Sequence, residues 1–113
     1  MNLTTERQHD ITIVRVGETR MMYPILSDFS GTVTALIQGG DRKVIIDLSH
    51  VSYVDSATIG CFMDLYRQMS SAGGQLKLAG VQKRVETMLT MTGAQNFIDV
   101  HQDEASALRD FGV

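Results

Sequence analysis

Apolar positions along this chain follow two rhythms that take turns, one suited to buried strands and one to amphipathic helices. Residues 11–16, ITIVRV, are β-branched with only Arg15 breaking the run, and they read as a strand that ends at Gly17. An irregular stretch with Met21, Met22 and Tyr23 follows. Pro24 then opens a helix in which Ile25, Leu26, Phe29, Val33, Leu36 and Ile37 recur at helical spacing, until Gly39 and Gly40 stop it. Gly31 and the Ser and Thr residues of this stretch weaken its helix propensity. Residues 43–48, KVIIDL, form a short continuous apolar run, the pattern of a central strand covered on both faces. Beyond HVSYVDS, residues Ile59, Phe62, Met63, Tyr66 and Met69 mark one helical stripe that Gly73 and Gly74 end. QLKLAG at 75–80 alternates like a strand, and Val81, Val85, Met88 and Leu89 line a further helix stopped by Gly93. FIDV at 97–100 makes a last short strand, and Asp103 is placed to cap a closing helix carrying Ala105, Leu108 and Phe111.

Strands alternating with helices imply an α/β fold: a mostly parallel central sheet of four to five strands with about four helices. The 113 residues suit one domain, 1–113, with no repeat, linker or low-complexity segment. In open sheets of this kind, functional residues gather where strands give way to helices, and Asp55 and Ser56 sit at such a junction.

Composition narrows the possible partners. Ten basic residues against 13 acidic ones give a net charge of -3, and the basic residues are scattered, so no footprint for a nucleic-acid backbone is present. No apolar run approaches the ~20 residues of a membrane span, and MNLTTERQHD lacks the apolar core of a signal peptide, so no membrane insertion and a cytoplasmic location are expected. The one cysteine, Cys61, lies in an apolar helical pattern and reads as a small hydrophobe. His9, His50 and His101 are isolated, so no metal site is expected and they read as surface or loop residues. Among the seven methionines, Met63, Met69 and Met88 fall on core stripes, whereas Met21, Met22 and Met91 do not and are open to a partner-facing role.

Catalytic patterns fail one by one. A serine hydrolase wants G-x-S-x-G, but Ser56 is flanked by Asp55 and Ala57. Neither G-x-x-x-x-G-K-[ST] nor G-x-G-x-x-G occurs, so no nucleotide or other cofactor is expected. A phospho-acceptor Asp domain is disfavoured because Asp47 falls inside the buried run and no acidic pair follows the first strand. Asp55 and Ser56 are both favoured N-cap residues, so helix capping is one reading of the pair. A modifiable Ser56 is another, since a phosphate there would find free backbone N–H groups and a favourable helix dipole.

The segment KVIIDLSHVSYVDSATIG, Lys43 to Gly60, resembles the signature of STAS domains, in particular of anti-sigma-factor antagonists. The likeness extends to Gly17-Glu18 after the first strand, Gly73-Gly74, Met91-Thr92-Gly93 and Glu104-Ala105. The resemblance implies a protein without enzymatic activity. It binds an anti-sigma factor that is also a serine kinase and supplies the ATP, and it is released when the serine after the motif Asp, here Ser56, is phosphorylated; a serine phosphatase would reset it. Asp55, Ala57, Thr58, Ile59 and Gly60 are then the expected partner-binding residues. Two positions depart from the family pattern: Thr58 stands where Gly is usual, making it a candidate second acceptor, and Arg20 stands where many phosphorylated members carry Asp. A constitutive STAS scaffold or accessory subunit of a transport or stress-signalling complex is the alternative, and a small-ligand or nucleotide sensor a third.

Overall fold

The computed structural model describes residues 2–113. Its centre is a five-stranded sheet in the order β1-β2-β4-β6-β7, formed by β1 (Leu3–Gln8), β2 (Ile11–Val16), β4 (Lys43–Asp47), β6 (Gln75–Ala79) and β7 (Asp99–His101). Only β1 runs antiparallel, joined to β2 by a tight turn; β2, β4, β6 and β7 are mutually parallel. A second, two-stranded parallel sheet pairs β3 (Arg20–Met21) with β5 (Tyr53–Val54). The described residues also form four α-helices: α1 (Ile25–Gln38), α2 (Ser56–Ser71), α3 (Lys83–Thr92) and α4 (Glu104–Asp110).

The strand alternation sorts side chains between two unequal faces. Val14, Val16, Val44, Ile46, Leu76 and Leu78 face α1, α2 and α3, where Phe29 and Phe62 meet edge-on with ring centroids 5.9 Å apart. Ile11, Ile13, Ile45 and Ala79 point the other way, where α4 covers them with Ala107, Leu108 and Phe111. Val44, Ile45 and Ile46 are all fully buried, as a central strand between two helical layers requires.

The expected helices and the central strands are present, and Asp103 caps α4 by accepting the Ser106 N–H at 2.8 Å. Three features differ from the sequence reading. The polar segment Leu3–Gln8 is an edge strand: its side chains are largely exposed, so no apolar alternation announces it. The last strand lies at Asp99–His101 rather than 97–100, because Ala94–Asn96 forms a turn of 3₁₀ helix that seats Ile98 in the core. The irregular stretch 17–23 contains β3, and its Met21 is fully buried rather than partner-facing. The Gly17-Glu18 pair anchors the amino terminus: Gly17 N–H donates to the Asn2 carbonyl at 2.6 Å, and Asn2 N–H donates to Glu18 Oε1 at 3.1 Å.

Candidate functional site

The start of α2 is built by a division of labour among neighbouring residues. Leaving β5, Asp55 adopts an extended backbone, and its Oδ1 accepts the Thr58 N–H at 3.0 Å, so Asp55 is the N-cap. The backbone N–H and then the hydroxyl of Thr58 hold the Asp55 carboxyl below its ordinary range, and it is charged at neutral pH. The hydrogen bonds of this turn belong to Asp55 and Thr58, and the Ser56 hydroxyl has no partner among the described residues. Ser56 is exposed at the first helical position. Capping therefore accounts for Asp55 and not for Ser56. The junction also follows the small sheet rather than a strand of the central one.

The first turn of α2 divides the expected docking residues. Ala57 and Gly60 are exposed and Asp55 is half-buried, but Thr58 and Ile59 are turned inward, at 0% and 3% exposure. Their spacing puts them on the same stripe as Phe62, Leu65 and Met69. Neither side chain is available to a partner, which corrects the expectation that they form part of the docking face. The Thr58 hydroxyl lies 2.5 Å from the Met21 carbonyl and 2.9 Å from Asp55 Oδ1, its one proton serving two acceptors. The hydroxyl is enclosed and engaged in the folded protein, which counts against Thr58 as a second acceptor. It ties the start of α2 to β3, a tie that Gly could not make.

Two depressions adjoin the first turn of α2. One, of about 670 Å³, runs between α1 and α2 and is lined by Tyr23, Ser27, Gly31, Ala57, Gly60 and Cys61, among others. Tyr23 is 78% exposed. Burial pushes the Cys61 thiol up, so it is inert at neutral pH, in keeping with its reading as a small hydrophobe. The other cleft, of about 480 Å³, lies between the start of α2 and α3 and is lined by Tyr53, Asp55, Ser56, Arg84, Thr87 and Met88. Two guanidinium groups stand against the Tyr53 ring, Arg20 at 4.7 Å and Arg84 at 5.3 Å from its centroid. Arg84 had no local signal in the sequence; folding alone brings it to the cleft that Ser56 lines.

The remaining charged groups serve the α4 face. Arg15 donates to Glu104 at 2.8 Å and to Glu6 at 2.7 Å, pinning α4 and β1 to β2. Lys77 is buried, with Nζ 2.8 Å from Asp99 Oδ2 and 2.5 Å from Asp110 Oδ2, and it stands 4.7 Å from the Phe111 ring centroid. Asp99, His101 and Asp110 offer potential ligand atoms within 4.8 Å of one another. The Lys77 ammonium already stands between both carboxylates and would repel a metal cation placed among them, so the donor set does not fit one. His101 is more enclosed than the surface residue expected, its Nε2 3.7 Å from Asp110 Oδ2 and without a hydrogen-bond partner. Among the described residues no helix is long and apolar enough to cross a membrane.

Known proteins match this chain along most of its length. The anti-sigma-B factor antagonist of Staphylococcus aureus (strain NCTC 8325 / PS 47) is 26% identical over 102 residues, which is 90% of this chain and 94% of that protein. The anti-sigma-B factor antagonist of Bacillus subtilis (strain 168) is 29% identical over 96 residues, 84% of each chain. Among solved structures, the anti-sigma factor antagonist SpoIIAA in its unphosphorylated form superposes with a TM-score of 0.81 at 17% identity, over 99% of this chain and 98% of that one. The Bacillus cell fate determinant SpoIIAA in the phosphorylated form gives 0.75 at 15% identity, over 97% of this chain and 99% of that one. These likenesses share the fold described above, and the sequence pattern of the STAS domain matches residues 2–107, so the chain belongs to the STAS domain family.

Proposed function

We propose that this protein is a phosphorylation-controlled anti-sigma-factor antagonist, a binding module that performs no chemistry of its own. Unmodified, it docks on an anti-sigma factor that is also a serine kinase; phosphorylation of Ser56 releases it. The observation that carries this reading is the free, exposed Ser56 hydroxyl above a cap made by Asp55. The names of the S. aureus and B. subtilis relatives support the same role.

In the transfer, the Ser56 oxygen bonds to the γ-phosphorus of ATP bound to the kinase as the bond to ADP breaks. The hydroxyl proton passes to a base of the kinase. The product carries roughly −1.5 to −2 charges at neutral pH, beside backbone N–H groups at the start of α2 that favour an anion. The fold therefore tolerates the modification, whereas a partner seated over Ala57, Gly60 and the groove beside Tyr23 would have to desolvate the charge.

The test is the intact mass of the protein purified from its host, beside a Ser56→Ala variant, with the co-eluting proteins identified. One added phosphoryl group on the wild type only, and a kinase partner retained only by the unmodified form, is the expected result. A partner that binds constitutively, with no phosphate under any growth condition, would leave a scaffold role instead.

A further inference from the structure

Building on Ser56 as the acceptor, we propose that Arg20 and Arg84 form an internal receptor for its phosphoryl group, gathered on the Tyr53 ring beside it. Three observations lead there. First, Arg84 and Ser56 line the same cleft, and Arg20 reaches the same tyrosine from β3, so residues distant in sequence converge three positions before the modified serine.

Second, neither arginine has a carboxylate within salt-bridge range among the described residues, Arg20 donating only to Met22 Sδ at 3.7 Å, whereas Arg7 and Arg67 are each paired with one carboxylate and Arg15 with two. A guanidinium held by the face of an aromatic ring keeps its N–H edges free, and those edges match phosphate oxygens in a bidentate fork. The aromatic ring also limits the freedom of two long side chains, which lowers the ordering cost of gripping an anion.

Third, the site needs positive charge. Asp55, the residue before Ser56, is ionised, its carboxylate turned onto Thr58 in the same turn. A phosphate dianion next to it would meet repulsion that the helix N-terminus, equivalent to about half a positive charge, does not offset. Two guanidinium groups do. The phosphorylated protein is then an ordered state in which the cleft between α2 and α3 is closed by ion pairs, and the arginine at position 20 acts on the modified form.

Phosphoserine placed at position 56 by genetic code expansion tests this without any kinase. The ³¹P resonance would be followed through the second ionisation of the phosphate, in the otherwise wild-type chain and in an R20Q/R84Q background. Amide spectra of each protein would verify the fold. The expected result is a second ionisation about one unit below the ~6 of free phosphoserine, moving back by at least about half a unit when both arginines are removed. An ionisation that is the same in both backgrounds would overturn the proposal, including one lowered equally in both, which the helix N-terminus alone would explain. Because the phosphate is installed directly, this outcome is independent of whether Ser56 carries phosphate in the host, which the mass measurement decides separately.

Discussion

Thr58→Val isolates the tie between α2 and β3. Valine keeps the β-branched shape and nearly the volume of threonine, and its helix propensity is similar, so the change removes little besides one hydroxyl. That hydroxyl is fully buried and reaches the carbonyl of Met21, itself fully buried. Losing it leaves a buried acceptor short of its donor, at a cost of about 1–3 kcal/mol. The Asp55 cap keeps its bond from the Thr58 backbone N–H, so the helix start is weakened rather than abolished. In a domain of this size each kcal/mol corresponds to roughly 4 °C, so the midpoint of thermal unfolding should fall by about 4–12 °C. Urea unfolding should show a lower midpoint with an unchanged slope, since the surface exposed on unfolding is the same. Thr58→Ser, which keeps the hydroxyl and loses one methyl group, should cost only about 1 kcal/mol. Thr58→Gly loses both and adds the helix penalty of glycine, about 1 kcal/mol more, and should be the least stable of the three. A Thr58→Val protein within about 0.3 kcal/mol of wild type would refute the reasoning, because the bond to Met21 would then contribute nothing net.

Asp55→Ala should cost about 1 kcal/mol at neutral pH through loss of the N-cap. Because the folded carboxyl is held below its ordinary range, that gap should be complete above the unfolded value of ~3.9 and shrink as pH falls through the folded one; a gap undiminished in strong acid, by urea titration, would contradict it. Lys77→Ala should cost about 2–3 kcal/mol, since it removes a buried stem as well as a charge, while Lys77→Met should stay within about 1 kcal/mol because Asp99 and Asp110 are half exposed and can rehydrate. The two glycines Gly60 and Gly74 should respond oppositely to alanine in denaturant unfolding. A Cβ at Gly60 meets nothing, so the substitution should stabilise α2 by about 0.5–1 kcal/mol; at Gly74 it would lie 2.5 Å from both the Arg42 carbonyl and Met69 Sδ and should cost about 1–3 kcal/mol.

Periodicity was enough for most of the fold. The helical stripes of α1, α2 and α3, the buried run of β4 and the Asp103 cap are local patterns, and local patterns survive folding when the burial they need is available. The elements that escaped notice are those whose residues say little on their own. Strand β1 is polar because it is an edge, and β3 and β5 are two-residue strands that exist only because each supplies the other's hydrogen bonds. The site divides along the same line. Asp55-Ser56 at a helix start was legible from residue type and position.

Which of those two residues would cap the helix, and which would be free, was a choice between neighbours that both qualify; the turn geometry gives the cap to Asp55. Ile59 was legible as part of the α2 stripe, whereas the enclosure of the polar Thr58 depends on how α2 packs against β3, which residue type does not announce. The convergence of Arg20 and Arg84 on Tyr53 joins three segments that share no local pattern. The chain's order of apolar and polar residues dictates which segments bury a face, because burial is the dominant driving force and acts on each segment alone. Which polar side chains then meet across the surface is decided only when those faces have packed.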